Sequence, residues 1–262
     1  MLKIICIIGI VILNATYLNR FIIKNKIIKI PNLWTTVIFM IFSIPLIKLG
    51  NQWSLTTVML LITLNYVSIC NLYESPNIKF QVFKTGFFTS TLIWCDYNFI
   101  ILYPIILYSL IYYQRLNWRN TIIQLLGLLY PWFLYLVIDT FLNLSKMKFD
   151  IDFNNLTHTY SLSNYWSILI ITLFLISLSL KELYINYHRK KEKSKKALNI
   201  LCMITICMLS LSIYLKSIQH IYFLCLPASI LIANYLIYTK YGKFRTFLVG
   251  LLTVSFIFKF LL

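Results

Sequence analysis

The stretch TGFFTSTLIWCDYNFIILYPIILYSLIYY, residues 85–113, decides how the chain folds. It is longer than the about 20 residues that one membrane-crossing helix needs, and short for two. Asp96, Tyr97 and Asn98 interrupt its apolar run. A carboxylate at the centre of an apolar helix costs about 2.5–3.5 kcal/mol on insertion, so a turn is expected there. The reading is a short helix over 85–95, a tight turn at 96–98, and a fuller helix over 98–113 that Pro104 kinks.

Working outward, the rest of the chain has the same character. Of 262 residues, 60% are hydrophobic and 12% charged, against about 25% charged in a soluble domain. Polar surface is too scarce to coat a water-exposed globule, which excludes soluble secreted and nucleic-acid-binding classes. Apolar windows at 2–18, 33–49, 54–72, 121–141, 165–186, 197–215, 221–238 and 246–262 join the broken pair. The first is read as retained, because no small-residue cleavage site precedes Asn19-Arg20. The expected fold is all-α: one integral membrane domain over 1–262, a polytopic transmembrane helix bundle of about ten helical segments.

Charge orients these segments. Net charge is +17, and basic residues are retained on the cytoplasmic side of a membrane. With the N-terminus outside and each segment alternating, 18 of the 24 Lys and Arg fall on the cytoplasmic side and six outside. Joining 85–113 into one span would break that alternation, so the charge pattern favours the turn at Asp96. The longest outer connection, 142–164, carries Asp150, Asp152 and His158. The basic cytoplasmic loop 187–197 holds His188 to Lys196 and is read as an anchor touching anionic head groups.

Few residues offer chemistry. The six cysteines form no CxxC and lie mostly in apolar runs as core residues, and three separated histidines make no metal centre. No metal and no cofactor is expected. Asp96 and Asp139 both fall near the outer interface, with His158, His220 and Lys216, and are the candidate catalytic carboxylates. The plainer reading has Asp96 capping the helix that begins near Asn98, and Asp139 facing water or pairing with Lys216. Lys181 and Glu182 snorkel to the inner interface, and the six Trp read as an interfacial belt. Arg115 and Arg119, four apart with Trp118 between them, are the candidate binding residues for a phosphate or lipid head group, on the assumption of one helical turn between the guanidiniums.

Phe83-Lys-Thr-Gly86, Tyr103-Pro104, Arg115-Leu-Asn-Trp-Arg119 and Gly127-Leu-Leu-Tyr-Pro131 follow one another along the chain. This succession resembles an uncharacterised family of polytopic inner-membrane proteins of Bacteroidota, over about residues 10–140. Gln114 and Asn120 depart from the family's cytoplasmic turn, Asn120 standing where an acidic residue is usual. The resemblance implies a bacterial inner-membrane setting and no established activity. Three functions are therefore carried forward. The first is a scaffold or partner component in cell-envelope assembly or lipid-linked material handling, with anionic lipids and an envelope protein as partners. The second is a multi-span glycosyl- or acyl-transferase at the outer interface. The third is a small-solute or lipid transporter whose site lies at the broken helix.

Overall fold

The computed structural model describes residues 2–28, 30, 32–43, 52–142, 166–215, 222–238 and 246–254. Among these there is no strand, and the architecture is all-α. In order the helices are α1 (Leu2–Lys24), α2 (Trp34–Ser43), α3 (Gln52–Asn71), α4 (Ile78–Cys95), α5 (Tyr103–Tyr112), α6 (Trp118–Leu142), α7 (Trp166–Asn186), α8 (Glu192–Leu215), α9 (Cys225–Tyr238) and a last helix over 246–254. Five of them are long and apolar enough to cross a membrane, which marks a membrane protein: Ile5–Lys24, Trp53–Asn71, Trp118–Phe141, Ile170–Arg189 and Glu192–Leu215. The outer connection expected over 142–164, with His158, lies almost wholly outside the described residues, as do His220 and Lys216.

The chain packs as two compact units, residues 1–59 with 159–262 and residues 60–158. One boundary falls inside the unbroken helix α3, where no linker in the sequence marks it, and the other falls in the expected outer connection 142–164. In the first unit α9 is central. It packs on α2, α7 and α8, and eleven of its 14 residues are buried. A helix apolar all round is covered either by protein or by lipid, and α9 is covered by protein.

Several helices outrun the windows read from hydropathy. α1 continues six residues beyond Leu18 because Phe21 and Ile22 are buried. It closes at Lys26, whose positive φ of 52° lets Ile27 N–H return to the Ile22 carbonyl at 3.1 Å. α8 begins at Glu192, so most of the expected basic loop 187–197 is helical, a 3-10 turn over Tyr187–Arg189 and then the first turn of α8. Ala197 and Leu198 are buried just inside, and Glu192 suits the positive end of the helix.

The second unit holds the decisive stretch. The chain does break at Asp96, which is extended (φ −153°, ψ 118°) between α4 and a 3-10 helix over Tyr97–Leu102. Two expectations are corrected. α4 is not a short piece over 85–95 but an 18-residue helix from Ile78, because Val82, Thr85 and Gly86 on its early turns are buried in packing. Pro104 does not kink a helix interior; it sits in the first turn of α5, where a missing N–H is harmless.

α4 and α6 meet through two glycines. A Cβ on Gly86 would stand 2.4 Å from the Gln124 carbonyl oxygen, and one on Gly127 would stand 2.4 Å from that of Phe83. The backbones therefore touch, as in helix pairs built on small residues. Further along, Trp94 stacks on Trp132 at 5.9 Å and meets the edge of Tyr135 at 5.1 Å. Pairs 86 with 127 and 94 with 135 advance together, so the two helices run parallel. α5 returns the chain between them.

Candidate functional site

Parallel packing sorts the polar residues of the second unit between two ends. At one end lie the connection 72–77, the start of α4, the segment 113–117 and the start of α6. Gln114 takes a positive φ of 57° and Arg115 N–H returns to the Leu110 carbonyl at 2.8 Å, ending α5. Arg115 thus lies before α6, in a non-helical segment. The assumption of one helical turn between Arg115 and Arg119 does not hold, because Gln114 reverses the chain and α6 starts only at Trp118.

The two guanidiniums go to different neighbours. Arg115 Nη2 donates to the Tyr73 carbonyl at 3.4 Å, beside the Tyr73–Tyr113 ring pair at 5.8 Å. Its carbonyl accepts from Asn120 Nδ2 at 2.7 Å, so Asn120 ties the turn to α6. Arg119 is exposed with its guanidinium 5.4 Å from the Trp118 ring centre, and Trp118 is 70% exposed. Lys84 lies over Phe80 at 4.4 Å, and Lys79 and Glu74 are exposed.

The opposite end carries Asp96 and Asp139. Asp96 Oδ1 accepts from Asn98 N–H at 2.9 Å and from Asn98 Nδ2 at 2.8 Å. Asp96 therefore caps the 3-10 helix, as the plainer reading had it. Asp139 is part-exposed in the last turn of α6. With Gly86 opposite Gly127, Asp96 is level with Val137, so Asp139 stands about 3 Å further along the axis. Trp94, Trp132, Tyr135 and Tyr97 are exposed around this level, Tyr97 by 72%. No three His, Cys, Asp or Glu side chains come together among the described residues.

The first unit gathers basic segments too. Ser194 Oγ, at the start of α8, donates to the Lys26 carbonyl at 2.7 Å, joining that helix to the α1–α2 connection. Lys190 Nζ donates to Asn234 Oδ1 at 2.9 Å and lies 5.0 Å from the Tyr238 ring centre. Asn234 and Tyr238 are one turn apart near the end of α9, where the helix dipole favours a cation. Burial pushes the Lys190 ammonium down to about 8, against the opposing pull of Glu182. Lys181 is exposed, and Glu182 accepts from the Asn186 side chain.

Sequence reading missed Lys190, which is one cation among many in its run, and Asn234, the buried amide that singles it out. It also passed over Gln124, a lone amide in an apolar segment, which is wholly buried with both amide atoms unpartnered. A polar side chain amid apolar neighbours was the available signal. No family model, curated protein or solved structure matches the chain.

Proposed function

We propose that this chain is a multi-pass protein of a bacterial inner membrane. It serves as a scaffold or partner component in envelope assembly or in the handling of lipid-linked material. The observation that carries the reading is the gathering of basic connections at one end within each unit: Lys26 with Ser194 and Lys190 with the end of α9 in the first, Tyr73 with Arg115 in the second. Cationic ends with exposed Arg119 and Trp118 suit a surface of anionic head groups. Asp96 is committed to its own turn, which suits a structural role for that carboxylate.

A second reading has a specific observation in its favour. Asp96 and Asp139 stand at nearly one level beside Trp94, Trp132 and Tyr135, an arrangement suited to a transferase acting on a lipid-linked sugar or acyl group. One set of variants separates the two. Under the first reading Asp96→Asn with Asp139→Asn retains the cellular phenotype of the gene, while Arg119→Gln lowers the anionic lipid that co-purifies in mild detergent. Loss of phenotype in a normally inserted Asp variant, with lipid content unchanged in Arg119→Gln, transfers the conclusion to the transferase.

A further inference from the structure

The connection between α7 and α8 is tied down at two points within the first unit. Ser194 Oγ donates to the Lys26 carbonyl at 2.7 Å, which holds the start of α8. The segment ahead of it reaches α9 through Lys190, which is extended at the end of the 3-10 turn and donates from Nζ to Asn234 Oδ1 at 2.9 Å. Its sequence neighbours Arg189 and Lys191 are exposed. Lys195 lies over the Tyr187 ring at 5.4 Å, and Tyr187 Oη accepts from Asn199 Nδ2 at 3.0 Å.

Two groups of α9 meet the Lys190 nitrogen. Asn234 is 1% exposed, so its carbonyl oxygen is an acceptor sheltered from water. The Tyr238 ring centre, one turn further along, lies 5.0 Å from Nζ. Burial lowers the proton affinity of Lys190 to about 8, the carboxylate of Glu182 on α7 pulling the other way. At pH 7.5 about a quarter of such amines are unprotonated, against about one in a thousand for an exposed lysine. The unprotonated amine is the nucleophile, and a lysine held in a desolvated place is thereby activated toward carbonyl carbon. One side chain is thus both the clasp on α9 and the amine of the basic run that is readiest to react.

We propose that Lys190 is a modification site for an activated acyl group, and that its acylation releases the α7–α8 connection from α9. In the step, the Nζ lone pair attacks the carbonyl carbon of an acyl phosphate. The C–N bond forms and the C–O bond to the phosphate breaks. Phosphate leaves with the bonding pair and takes the proton that the nitrogen sheds. The amide product has no charge to lie over the Tyr238 ring, and it adds bulk beside the packed Asn234. Ser194 still holds α8, so the loosening is confined to residues 187–191. This inference goes beyond the reading of the chain as an envelope component and does not depend on it.

The full chain in neutral detergent is treated with acetyl phosphate at pH 7.5, and acetylation of each lysine is followed by peptide mass spectrometry. Lys190 gains the acyl group about tenfold faster than the exposed Lys181 and Lys191, its larger share of free amine being partly offset by burial. Amide hydrogen exchange over residues 187–191 then quickens by about tenfold, while that of α6 is unchanged. Lys190→Gln shows the same quickening without reagent. Lys190→Arg keeps the charge and takes no acyl group, and its exchange does not change on treatment. Equal rates at Lys190 and Lys191 overturn the modification site, and unchanged exchange in the acetylated protein overturns the clasp. Quickening in treated Lys190→Arg assigns the effect to other lysines and overturns it as well.

Discussion

Lys190 turns inward from a run of cations in which Arg189 and Lys191 on either side of it are exposed. Its ammonium meets Asn234, buried in α9, and the ring of Tyr238. Burial holds its proton affinity near 8 rather than 10.5. Between those two values the unfolded chain binds the proton that the native chain has released, so this group makes stability rise with pH across that window. Below about 8 both states are protonated and the burial penalty is present in full. The stability of the wild type relative to Lys190→Met, followed by thermal unfolding in detergent, should be flat below pH 7 and climb from about 8 toward 10.5. A flat difference throughout would mean that the ammonium is well solvated. At this scale the sequence was legible where chemistry is local. Asp96 could be read as a cap because its partner, Asn98, is two residues away. Asn234 is 44 residues from Lys190, and no spacing announces the pair.

Among the elements, the α4–α6 seam sets the second unit. Its buried face on α6 is narrow, with Gln124, Gly127 and Pro131 inside and Leu125, Leu126, Leu129 and Phe133 exposed. At Gly86 and Gly127 contact therefore depends on close backbone approach, with aromatic pairs such as Phe83–Tyr130 and Trp94–Trp132 closing the seam on either side. Gly86→Ala places a methyl against the Gln124 carbonyl, and backbone has no rotamer to yield. The substitution should destabilise by about 2 kcal/mol or more, at the upper part of the overpacking range, with Gly127→Ala similar. Denaturation in mixed detergent micelles measures it, and an unchanged midpoint would show that the helices separate freely. Both glycines are visible in the sequence, but their apposition is not, since 40 residues and a whole return helix intervene. The ends of α1 and α8 illustrate the same limit. Hydropathy windows stopped at the first polar or basic residues, whereas packing of Phe21 and Ile22 in α1 and of Ser194 on the Lys26 carbonyl in α8 carried the helices onward.

For the molecule as a whole, charge makes the testable statement. If the chain alternates across the bilayer as its basic residues suggest, single cysteines placed in 115–119 and in 188–196 should be labelled from the same, cytoplasmic, side in intact cells and inverted vesicles. Labelling from opposite sides would break the alternation. By itself the sequence determined that the chain is all-α, rich in apolar segments and broken at Asp96, because hydropathy and a misplaced carboxylate act through solvent and need no partner. It did not determine which segments touch. Tertiary structure alone decided that α4 and α6, which the alternation of segments already had running the same way, meet on two glycines, that α9 is enclosed, that Arg115 turns to Tyr73, and that the Gln124 amide is buried without a partner. Those outcomes follow from backbone approach and hydrogen bonds between residues distant in the chain, and a linear pattern of polarity carries no measure of such distances.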